Sequence, residues 1–519
     1  MIFMNVKNSL SMNKTLKITV AAALLFWSAG LFAQTFDIVE RRDFWNAGRN
    51  VNGLRTDSLT VSYAELGADY TSGGFRDVND PKTIWSAGAE AGTITHLKKF
   101  SMIGAFSFRN AESQKACGSM SARPGYYPVD IYEFTPGRKT RQTYSFLGGI
   151  AVDLNDSWRL GGKLDFAAEN YTKRKDLRHT NFLLDMTFAP SIMWHRGDLA
   201  LGASYVFSKT SETITAEELG ITSGVYYAFI DKGLMYGVQD IWDNSGMHIK
   251  EAGVSGFPSR ELTNGGAVQI QWRNFYAEIE ALASHGSTGE KQKIWYNFDG
   301  WSMGVKMDYR IPGNGHSHYL RGRYSIRTQD NDENVLEDVT ENGVTTTRKY
   351  GSNNIFTRQS INAGAEWELL LDSGEYFSAG LGWTQDREVS TMTYPFVNTC
   401  KADVFNVFAS ILVKFGRFDL KVNANVSNGK DDEYHWKSQG IVASDEPFRL
   451  SEYEAAMTAY KTCAKVNGCL AVRYNFRKGV YLEASYEGIS RLKKKFDIVE
   501  GFSAGRIRNR EALTIGYNF

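Results

Sequence analysis

The side chains that could do chemistry along this chain are mostly charged residues on the polar side of alternating stretches. Ten of them are Arg159, Lys163, Asp165, Glu278, Lys306, Asp308, Arg321, Arg323, Lys421 and Arg473. Both signs are interspersed, so the set does not form the ring of one charge that would select ions by sign. We predict either cross-strand ion pairs in a solvated wall or a polar conduit for a hydrated solute.

A second group of candidate residues is aromatic and lies in segment 213–263. Its members are Tyr226, Tyr227, Phe229, Tyr236 and Trp242. At about 50 residues the segment is too long for a plain connector. The aromatic side chains could constrict the mouth of a pore, stack on a sugar or peptide ligand, or form a small core of the loop itself. Segment 112–139 has the same alternatives.

Residues typical of metal and catalytic sites are sparse. His316 and His318 lie in a Gly-rich turn and could reach one metal ion only from opposite faces of an extended strand. The sequence has no HExxH metalloprotease motif and no Walker-type phosphate loop. We therefore predict no enzymatic activity, no cofactor and no metal, although distant strands could still assemble a hydrolase triad.

The four cysteines allow disulfides if the chain is exported. Cys463 and Cys469 are separated by five residues, and a bond between them would staple one loop. Cys117 and Cys400 belong to two other connections and could pair only if those loops meet. The candidate disulfide is therefore Cys463 to Cys469.

The elements that carry the charged residues have a period of two. In 417–427 the apolar side chains Phe418, Leu420 and Val422 alternate with charged or amide-bearing ones. Such alternation predicts strands with one apolar and one polar face. Eighteen segments share it: 58–71, 83–95, 98–111, 140–154, 157–171, 177–195, 198–212, 264–273, 274–286, 299–310, 317–330, 356–371, 374–391, 403–415, 417–428, 466–477, 479–490 and 509–519.

The connections between these segments alternate between short turns and mostly long loops. Outer-membrane barrels show the same asymmetry, with short periplasmic turns and long extracellular loops. Because every backbone group in lipid needs a partner, a strand-built span must close on itself. We predict an all-β, closed antiparallel transmembrane β-barrel of about 18 strands (16–18), located in the cell outer membrane. The rival fold is a large soluble β protein such as a propeller or tandem sandwiches.

The two ends of the chain carry separate signals. A basic start followed by a short apolar run predicts a cleaved signal peptide over 1–33, and the alternative is a membrane anchor. Residues 34–57 are expected to form a periplasmic N-terminal segment or partial plug, and 58–519 the barrel. The last strand ends on alternating Tyr517 and Phe519, an ending typical of the signal that barrel-assembly machinery recognises.

Charge and composition limit the partners. Residues 1–33 contain three lysines and no acid, so the remainder has 56 basic and 58 acidic residues. That balance gives no reason to expect a nucleic acid. The expected partners are outer-membrane lipid and lipopolysaccharide, the barrel-assembly machinery, and another envelope protein. The mean hydropathy of −0.35 would suit a soluble protein, but the order of the residues overrides that average.

Several stretches resemble an uncharacterised family of Gram-negative outer-membrane β-barrels, the domain of unknown function family 6850. They include RRDFWNAGRNVNGLRTDSL at 41–59, YYPVDIYEFTPGRKTR at 126–141 and NYTKRKDLRH at 170–179. Further ones are YYAFIDKGLMYGV at 226–238 and EAGVSGFPSREL at 251–262. The resemblance implies fold and location, and it brings no activity, ligand or functional residue.

Three functions remain open at this point. The favoured one is a channel or transporter component for a polar solute. The first alternative is a closed barrel that displays its loops to another envelope protein, and the second is an outer-membrane hydrolase. A receptor with a large separate plug domain is disfavoured, because the chain is too short to hold that domain and a larger barrel.

Overall fold

The computed structural model describes residues 34–45, 48–175, 177–217, 226–242, 256–290, 293–392, 397–432, 450–492, 497–499, 502–503 and 505–519. The predicted signal peptide, 1–33, lies outside these residues. Neither described helix, α1 at Gln34–Arg42 nor α2 at Leu450–Thr462, has the length and hydrophobicity of a membrane-spanning helix.

Eighteen strands form one closed sheet, as the alternation predicts. They are β1 Val61–Gly73, β2 Thr83–His96, β3 Phe100–Ser119, β4 Asp130–Asp153, β5 Trp158–Lys173, β6 Arg178–Arg196, β7 Leu199–Glu217, β10 Phe257–Trp272, β11 Phe275–Glu290, β12 Lys293–Pro312, β13 His316–Glu341, β14 Val344–Leu371, β15 Tyr376–Ser390, β16 Asn398–Phe415, β17 Phe418–Asp432, β18 Lys465–Asn475, β19 Val480–Arg491 and β22 Ile507–Asn518. Two short hairpins lie outside the closed ring of 18 strands. The first, β8 Tyr226–Asp231 with β9 Gly237–Trp242, pairs with the outer end of β4, and the second is β20 Asp497–Val499 with β21 Phe502–Ser503.

The barrel is closed by its last strand. Strand β22 pairs with β19 on one side and with β1 on the other, so Ile515 lies between Leu482 and Leu66. Every other wall strand is antiparallel to its two neighbours, with β7 pairing to β10 across the long loop. The predicted 18-stranded barrel is confirmed, and no wall strand presents an unpaired edge to lipid.

The two faces of the wall differ as the alternation requires. Outward side chains such as Leu66, Leu381 and Val407 are at least 60% exposed and form an apolar belt. Inward side chains are polar and buried, among them Glu65 and Arg510. A chain with this belt is an outer-membrane β-barrel, because the belt needs lipid rather than water as its surroundings.

The predicted strand ends agree with the structure at the short turns and differ at the long loops. The largest difference is the hairpin of β13 and β14, which was predicted at 317–330 and 356–371. In the structure the pairing continues to Glu341 and Val344. Beyond the membrane both faces of a hairpin meet water, so the apolar alternation stops while the backbone ladder goes on. A pattern search therefore ends these strands too early.

Candidate functional site

The periplasmic half of the lumen is filled by the N-terminal segment. We call the described residues between 34 and 57 the plug: helix α1, an irregular turn and a short 3-10 helix at Val51–Arg55. Phe44 and Trp45 pack against Tyr276 of β11, with ring centroids 5.9 and 5.4 Å apart. Tyr319 of β13 contacts the other edge of Phe44 at 5.9 Å. This aromatic contact anchors the middle of the plug to one side of the wall.

Three arginines of the plug grip acidic residues of the wall. Arg41 forms an ion pair with Glu368 of β14, and Arg55 with Asp153 of β4. Arg49 pairs with Glu280 of β11 at 2.5 Å. These partners lie on strands far apart around the barrel, so the plug crosses the lumen rather than lining one side. Removing one member of a buried ion pair leaves the other charge uncompensated, which costs about 3–5 kcal/mol of stability.

Short amide side chains complete the attachment. Asn50 donates to the carbonyl oxygen of Ile192 at 3.0 Å and to Gln269 Oε1 at 3.2 Å. Asn52 donates to Ser191 Oγ at 3.3 Å. Asn50 Oδ1 also accepts from the Asn52 backbone N–H at 3.1 Å and caps the 3-10 helix. The sequence RNVNG at 49–53 therefore forms a local turn and binds two wall strands at once, β6 and β10, which are separated only by β7.

The charged residues predicted to line the lumen do point inward, and most are paired. Glu278 lies 3.0 Å from Lys306 and accepts a bond from the Arg49 backbone at 3.2 Å. Arg159 Nε lies 3.1 Å from Asp153. Lys421 occupies an inward position on β17, opposite Leu412 and Ala471. Other ion pairs formed by the predicted residues are Lys163–Asp165 at 3.9 Å, Arg323–Asp308 at 2.7 Å, Arg321–Glu368 at 3.0 Å and Arg473–Glu483 at 2.9 Å.

Four of these charges also border open space. A cavity of about 580 Å³, the lower cavity, lies directly above the plug residues Gly48 and Arg49. Its predicted charged lining is Lys163, Asp165, Lys306 and Arg323. Ion pairs between neighbouring strands therefore line a space in the middle of the lumen, and the conduit for a hydrated solute stays a prediction.

The extracellular half of the lumen is covered by folded loops, which we call the cap: residues 120–129, the β8–β9 hairpin and helix α2. The hairpin adds to the outer end of β4, with Ile230 opposite Ile131. Phe229 and Tyr236 are 2% and 1% exposed and pack inside this cap. Tyr226, Tyr227 and Trp242 lie on β8 and β9, and their side chains are outside the described part.

Helix α2 lies inside the mouth of the barrel. Leu450 packs with Tyr132 and Phe229, and Tyr453 contacts Phe134 with ring centroids 4.8 Å apart. At the other end of the helix Tyr460 packs on Phe75 at 5.0 Å. The helix therefore bridges two loops of the cap across the mouth.

Between the cap and the wall lies a space of about 660 Å³, which we call the upper cavity. Six carboxylates line it: Asp77, Asp130, Asp231, Asp386, Glu388 and Glu454. Three cationic side chains, Arg358, Lys461 and Lys465, share the lining. The upper cavity adjoins the lower one where Thr384 donates to Asn362 at 2.9 Å, because each of those residues lines one of the two spaces.

The carboxylates of the cap resist ionisation. Burial raises the pKa of Glu454 to about 8, and repulsion from Glu388 and Asp231 adds to the shift. Burial likewise raises the pKa of Asp231 to about 7, helped by Asp130. Lys461 works against the shift of Glu454 from the next turn of the helix. The upper cavity therefore holds more carboxyl groups than its own cations neutralise.

Comparison with protein families identifies the chain. A model of a family of unknown function, DUF6850, matches residues 53–519. The protein belongs to this family. No curated protein is similar to it in sequence. The family carries no described activity, so the DUF6850 barrel has to be understood from its own geometry.

Solved structures resemble the DUF6850 barrel in fold at very low identity. The outer membrane transporter YddB from Escherichia coli is 8% identical, with a TM-score of 0.43 over 88% of this chain and 81% of that one. The FrpB iron transporter from Neisseria meningitidis is 10% identical, with 0.41 over 91% and 83%. OccAB4 from Acinetobacter baumannii is 11% identical, with 0.36 over 89% and 98%.

The predicted disulfide is wrong. All four cysteines are free in the structure. Cys463 follows α2 and donates to the Tyr460 carbonyl at 3.4 Å, whereas Cys469 lies on β18. Residues 465–469 are extended and span about 13 Å, so the strand carries Cys469 away from the end of the helix, where Cys463 lies.

The residues that suggested other chemistry are placed without a site. His316 and His318 lie at the periplasmic end of β13 and not in the predicted turn. Their rings contact each other, so they share one face of the strand instead of the predicted opposite faces, and His318 stacks on Trp367 at 5.9 Å. Among the described residues no group of His, Cys, Asp and Glu side chains has the geometry of a metal site. The sequence has two Gly-x-Ser-x-Gly pentapeptides. GWSMG at 300–304 lies in the middle of β12, not at the strand-to-helix turn that exposes a nucleophilic serine, and GFSAG at 501–505 lies partly outside the described residues.

Sequence reasoning missed the carboxylates of the upper cavity. Glu388 lies two residues after Asp386 on a correctly predicted strand, so both side chains share the inward face. This spacing could have placed Glu388 in the lumen. Glu454 lies in a segment predicted as loop, although LSEYEAAMTAYKT at 450–462 is rich in helix-forming residues. The predicted assembly residues are placed as expected for the last strand: Tyr517 and Phe519 face outward, with ring centroids 4.7 Å apart.

Proposed function

We propose that the DUF6850 barrel is a gated outer-membrane transporter for a small polar solute. The solute would enter through the cap, pass the upper and lower cavities, and reach the periplasm when the plug moves. The observation that carries this proposal is the order of spaces along one lumen. Two adjoining polar cavities end on a segment held by side-chain contacts and by no strand pairing.

The nature of the plug contacts supports a gate. The plug is held by three arginines, Arg41, Arg49 and Arg55. Each pairs with a carboxylate of the wall, and that carboxylate stays in the wall when the plug leaves. Water can solvate both partners of each pair, so release exchanges one set of polar contacts for another. A permanent seal would be expected to use an apolar interface, whose separation has no such compensation.

Planar-bilayer recordings test the proposal. We expect the barrel with residues 34–519 to be silent under ordinary conditions and the barrel with residues 58–519 to conduct in discrete steps. A folded 58–519 barrel that stays silent would overturn passage through this lumen. Steady conductance of the 34–519 barrel would overturn the plug as the gate.

A closed scaffold for another envelope protein is the second candidate. The β13–β14 hairpin favours it, because the pairing extends about ten residues beyond the predicted span and presents charged side chains such as Glu341 and Arg348 to solvent. This function needs no moving plug. Co-purification of an envelope protein that is lost when residues 333–353 are removed, together with a silent 58–519 barrel, would favour the scaffold.

Delivery and assembly follow from the two ends of the chain. We propose that residues 1–33 direct export and are removed, and that the barrel-assembly machinery recognises the strand that ends at Phe519. The folded belt would then contact outer-membrane lipid and lipopolysaccharide. Removal of Phe519 is expected to lower the yield of heat-modifiable, folded barrel in the outer membrane while leaving export unaffected.

A further inference from the structure

We propose that the upper cavity is a binding site for a small organic cation, of the class of linear polyamines and other compounds with two or more ammonium groups. This inference rests on the proposed transport function and names the class of its solute. The cavity is large enough for such a molecule, since pockets of about 300–1,000 Å³ hold small ligands.

The excess of carboxylates is the first argument. Of the six acids in the lining, Asp386 alone forms an ion pair among the described residues, with Lys461 at 2.5 Å. Asp130 accepts from Ser119 at 2.6 Å and Asp231 accepts from the Gly233 backbone at 2.9 Å. The second oxygen of Asp130 also accepts a bond, from the Ile131 backbone at 2.7 Å. All of these donors are neutral, so they satisfy oxygen atoms without supplying a positive charge.

The cations in the lining are committed elsewhere. Arg358 donates to the carbonyl oxygens of Gly125 and Tyr126, which holds the loop 120–129 in place. Lys465 donates to the Tyr460 carbonyl at 2.9 Å and lies over the ring of that tyrosine. Among the described residues none of them forms an ion pair with the group formed by Asp130, Asp231, Glu388 and Glu454, although Lys461 partly offsets the charge of Glu454 from a distance. A mobile cation is therefore the missing partner of that group.

Unsatisfied polar atoms in the same lining are an independent argument. Glu454 is 6% exposed and lines the cavity, yet one of its oxygens accepts only a 3.4 Å bond from Thr458 and the other accepts none. The hydroxyl of Tyr460, 7% exposed, and Asn425 Oδ1 also lack a hydrogen-bond partner within the described chain. Buried polar groups are normally satisfied, so acceptors left open beside a cavity indicate a donor-rich ligand.

The aromatic residues of the cavity fit the same ligand class. Tyr127, Tyr132 and Phe356 line it and are nearly fully buried. Aromatic faces attract ammonium groups, and their flat surfaces cover the methylene segments between them. A carboxylate-bearing solute would meet these faces with the wrong charge and would be repelled by the acidic group.

Calorimetry on the folded barrel in detergent tests the proposal, with spermidine as the probe and glutarate as the anion control. We expect spermidine to bind and glutarate not to bind. The double variant Glu388→Gln, Glu454→Gln should lose about tenfold or more of the spermidine affinity. The matched control is Glu337→Gln with Glu341→Gln, an equal change of charge at exposed positions near the tip of the β13–β14 hairpin.

Each other outcome overturns the inference. Glutarate binding, no binding of either probe, or unchanged spermidine affinity in the double variant would each do so. If the double variant does not fold, Glu388→Gln alone carries the same expectation with a smaller loss. The conductance of the 58–519 barrel is measured without spermidine, so a wrong ligand class and a wrong transport function give different results.

Discussion

The two halves of the lumen differ in how the charge of their acidic side chains is neutralised. In the periplasmic half, cationic side chains of the plug meet acidic side chains of the wall, and aromatic rings fill what remains. In the extracellular half, the cap leaves a cavity of about 660 Å³ whose carboxylates exceed its cations. Both halves have acidic walls, but only one contains its own counter-charge.

The difference separates two tasks within one barrel. The arginines of the plug neutralise carboxylates of the wall, and these ion pairs are lost if the plug moves out of the lumen. The cap supplies one cation to this lining, Lys461 of α2, which pairs with Asp386, so the upper cavity depends on a ligand to compensate its other carboxylates. A cation that leaves the upper cavity would next meet a lower cavity in which Arg49, Lys163, Lys306 and Arg323 outnumber the acids Asp165 and Glu280.

The largest expected effect comes from breaking the periplasmic half. The triple variant Arg41→Ala, Arg49→Ala, Arg55→Ala removes the three described ion pairs between plug and wall. It leaves the buried Glu368 and the partly exposed Glu280 and Asp153 without these partners. We expect the silent barrel to become stepwise conducting in planar bilayers, because the wall carboxylates then favour a hydrated lumen.

The matched control for that variant is Arg42→Ala. Arg42 lies in the same helix but pairs at 3.5 Å with Asp57, within the plug. Its loss should leave the barrel silent. Equal conductance in the control and the triple variant would mean that the wall pairs do not hold the plug.

A second change loosens the same half through packing instead of charge. Trp45 is 1% exposed, and Trp45→Ala should weaken plug docking by about 3–5 kcal/mol. We expect cleavage of the plug by proteinase K to accelerate about a hundredfold, with the barrel left intact. Trp272→Ala is the control, since Trp272 faces lipid and is 58% exposed. Similar cleavage rates in both variants would count against a packed plug.

The third prediction concerns pH in the extracellular half. The pKa values of about 8 for Glu454 and about 7 for Asp231 mean that both groups bind protons near neutral pH. A protonated carboxyl attracts no ammonium group, so spermidine affinity should rise several-fold between pH 6 and pH 8.5. Glu388 and Asp130 repel negative charge at this position, and Lys461 opposes them. Calorimetry at constant ionic strength checks the trend, and falling affinity over this range would contradict it.

The smallest effect is expected from the cysteines beside the cap. Since Cys463 and Cys469 are free and far apart, Cys463→Ser with Cys469→Ser should change the free energy of unfolding by less than about 1 kcal/mol. Urea titrations with and without a reducing agent provide the measurement. If the oxidised wild type were much more stable than both the reduced wild type and the double variant, a disulfide between Cys463 and Cys469 would exist, contrary to the structure.

The fold was predictable because the side chains of a membrane strand face lipid and lumen in turn, so apolar and polar residues alternate in the sequence. Phe418, Leu420 and Val422 face lipid for the same reason that they alternate in the sequence, and each short turn is a local signal. The register is local too, since neighbouring strands are joined in order. These properties let the 18 strands and their inward charges be predicted from one sequence.

The candidate site was less predictable because it is assembled from distant segments. Glu388 and Glu454 are separated by 65 residues, and the loops that bring them together contain no periodic pattern. The cap is specified by packing, such as Leu450 on Phe229, and packing partners cannot be identified from alternation. The same limit applies to Arg49, because its partner Glu280 is distant in the chain and no local pattern links the two.

One measurement tests directly whether the plug must leave the lumen. A Cβ placed on Gly149 of β4 would lie 2.9 Å from Val51 Cγ2, so cysteines at 51 and 149 have Cβ atoms within about 4.4 Å and can form a disulfide. Val51→Cys with Gly149→Cys is made in a chain whose native cysteines are serines. Its conductance is then recorded in urea at about 3 M, which loosens a short segment before a closed barrel.

The account predicts stepwise conductance for the reduced tether, silence for the oxidised tether, and recovery when a reductant is added. Because neither a solute nor an energy source is required, the result depends only on the plug. Equal conductance in both redox states would contradict the account, as would silence in both while the 58–519 barrel conducts.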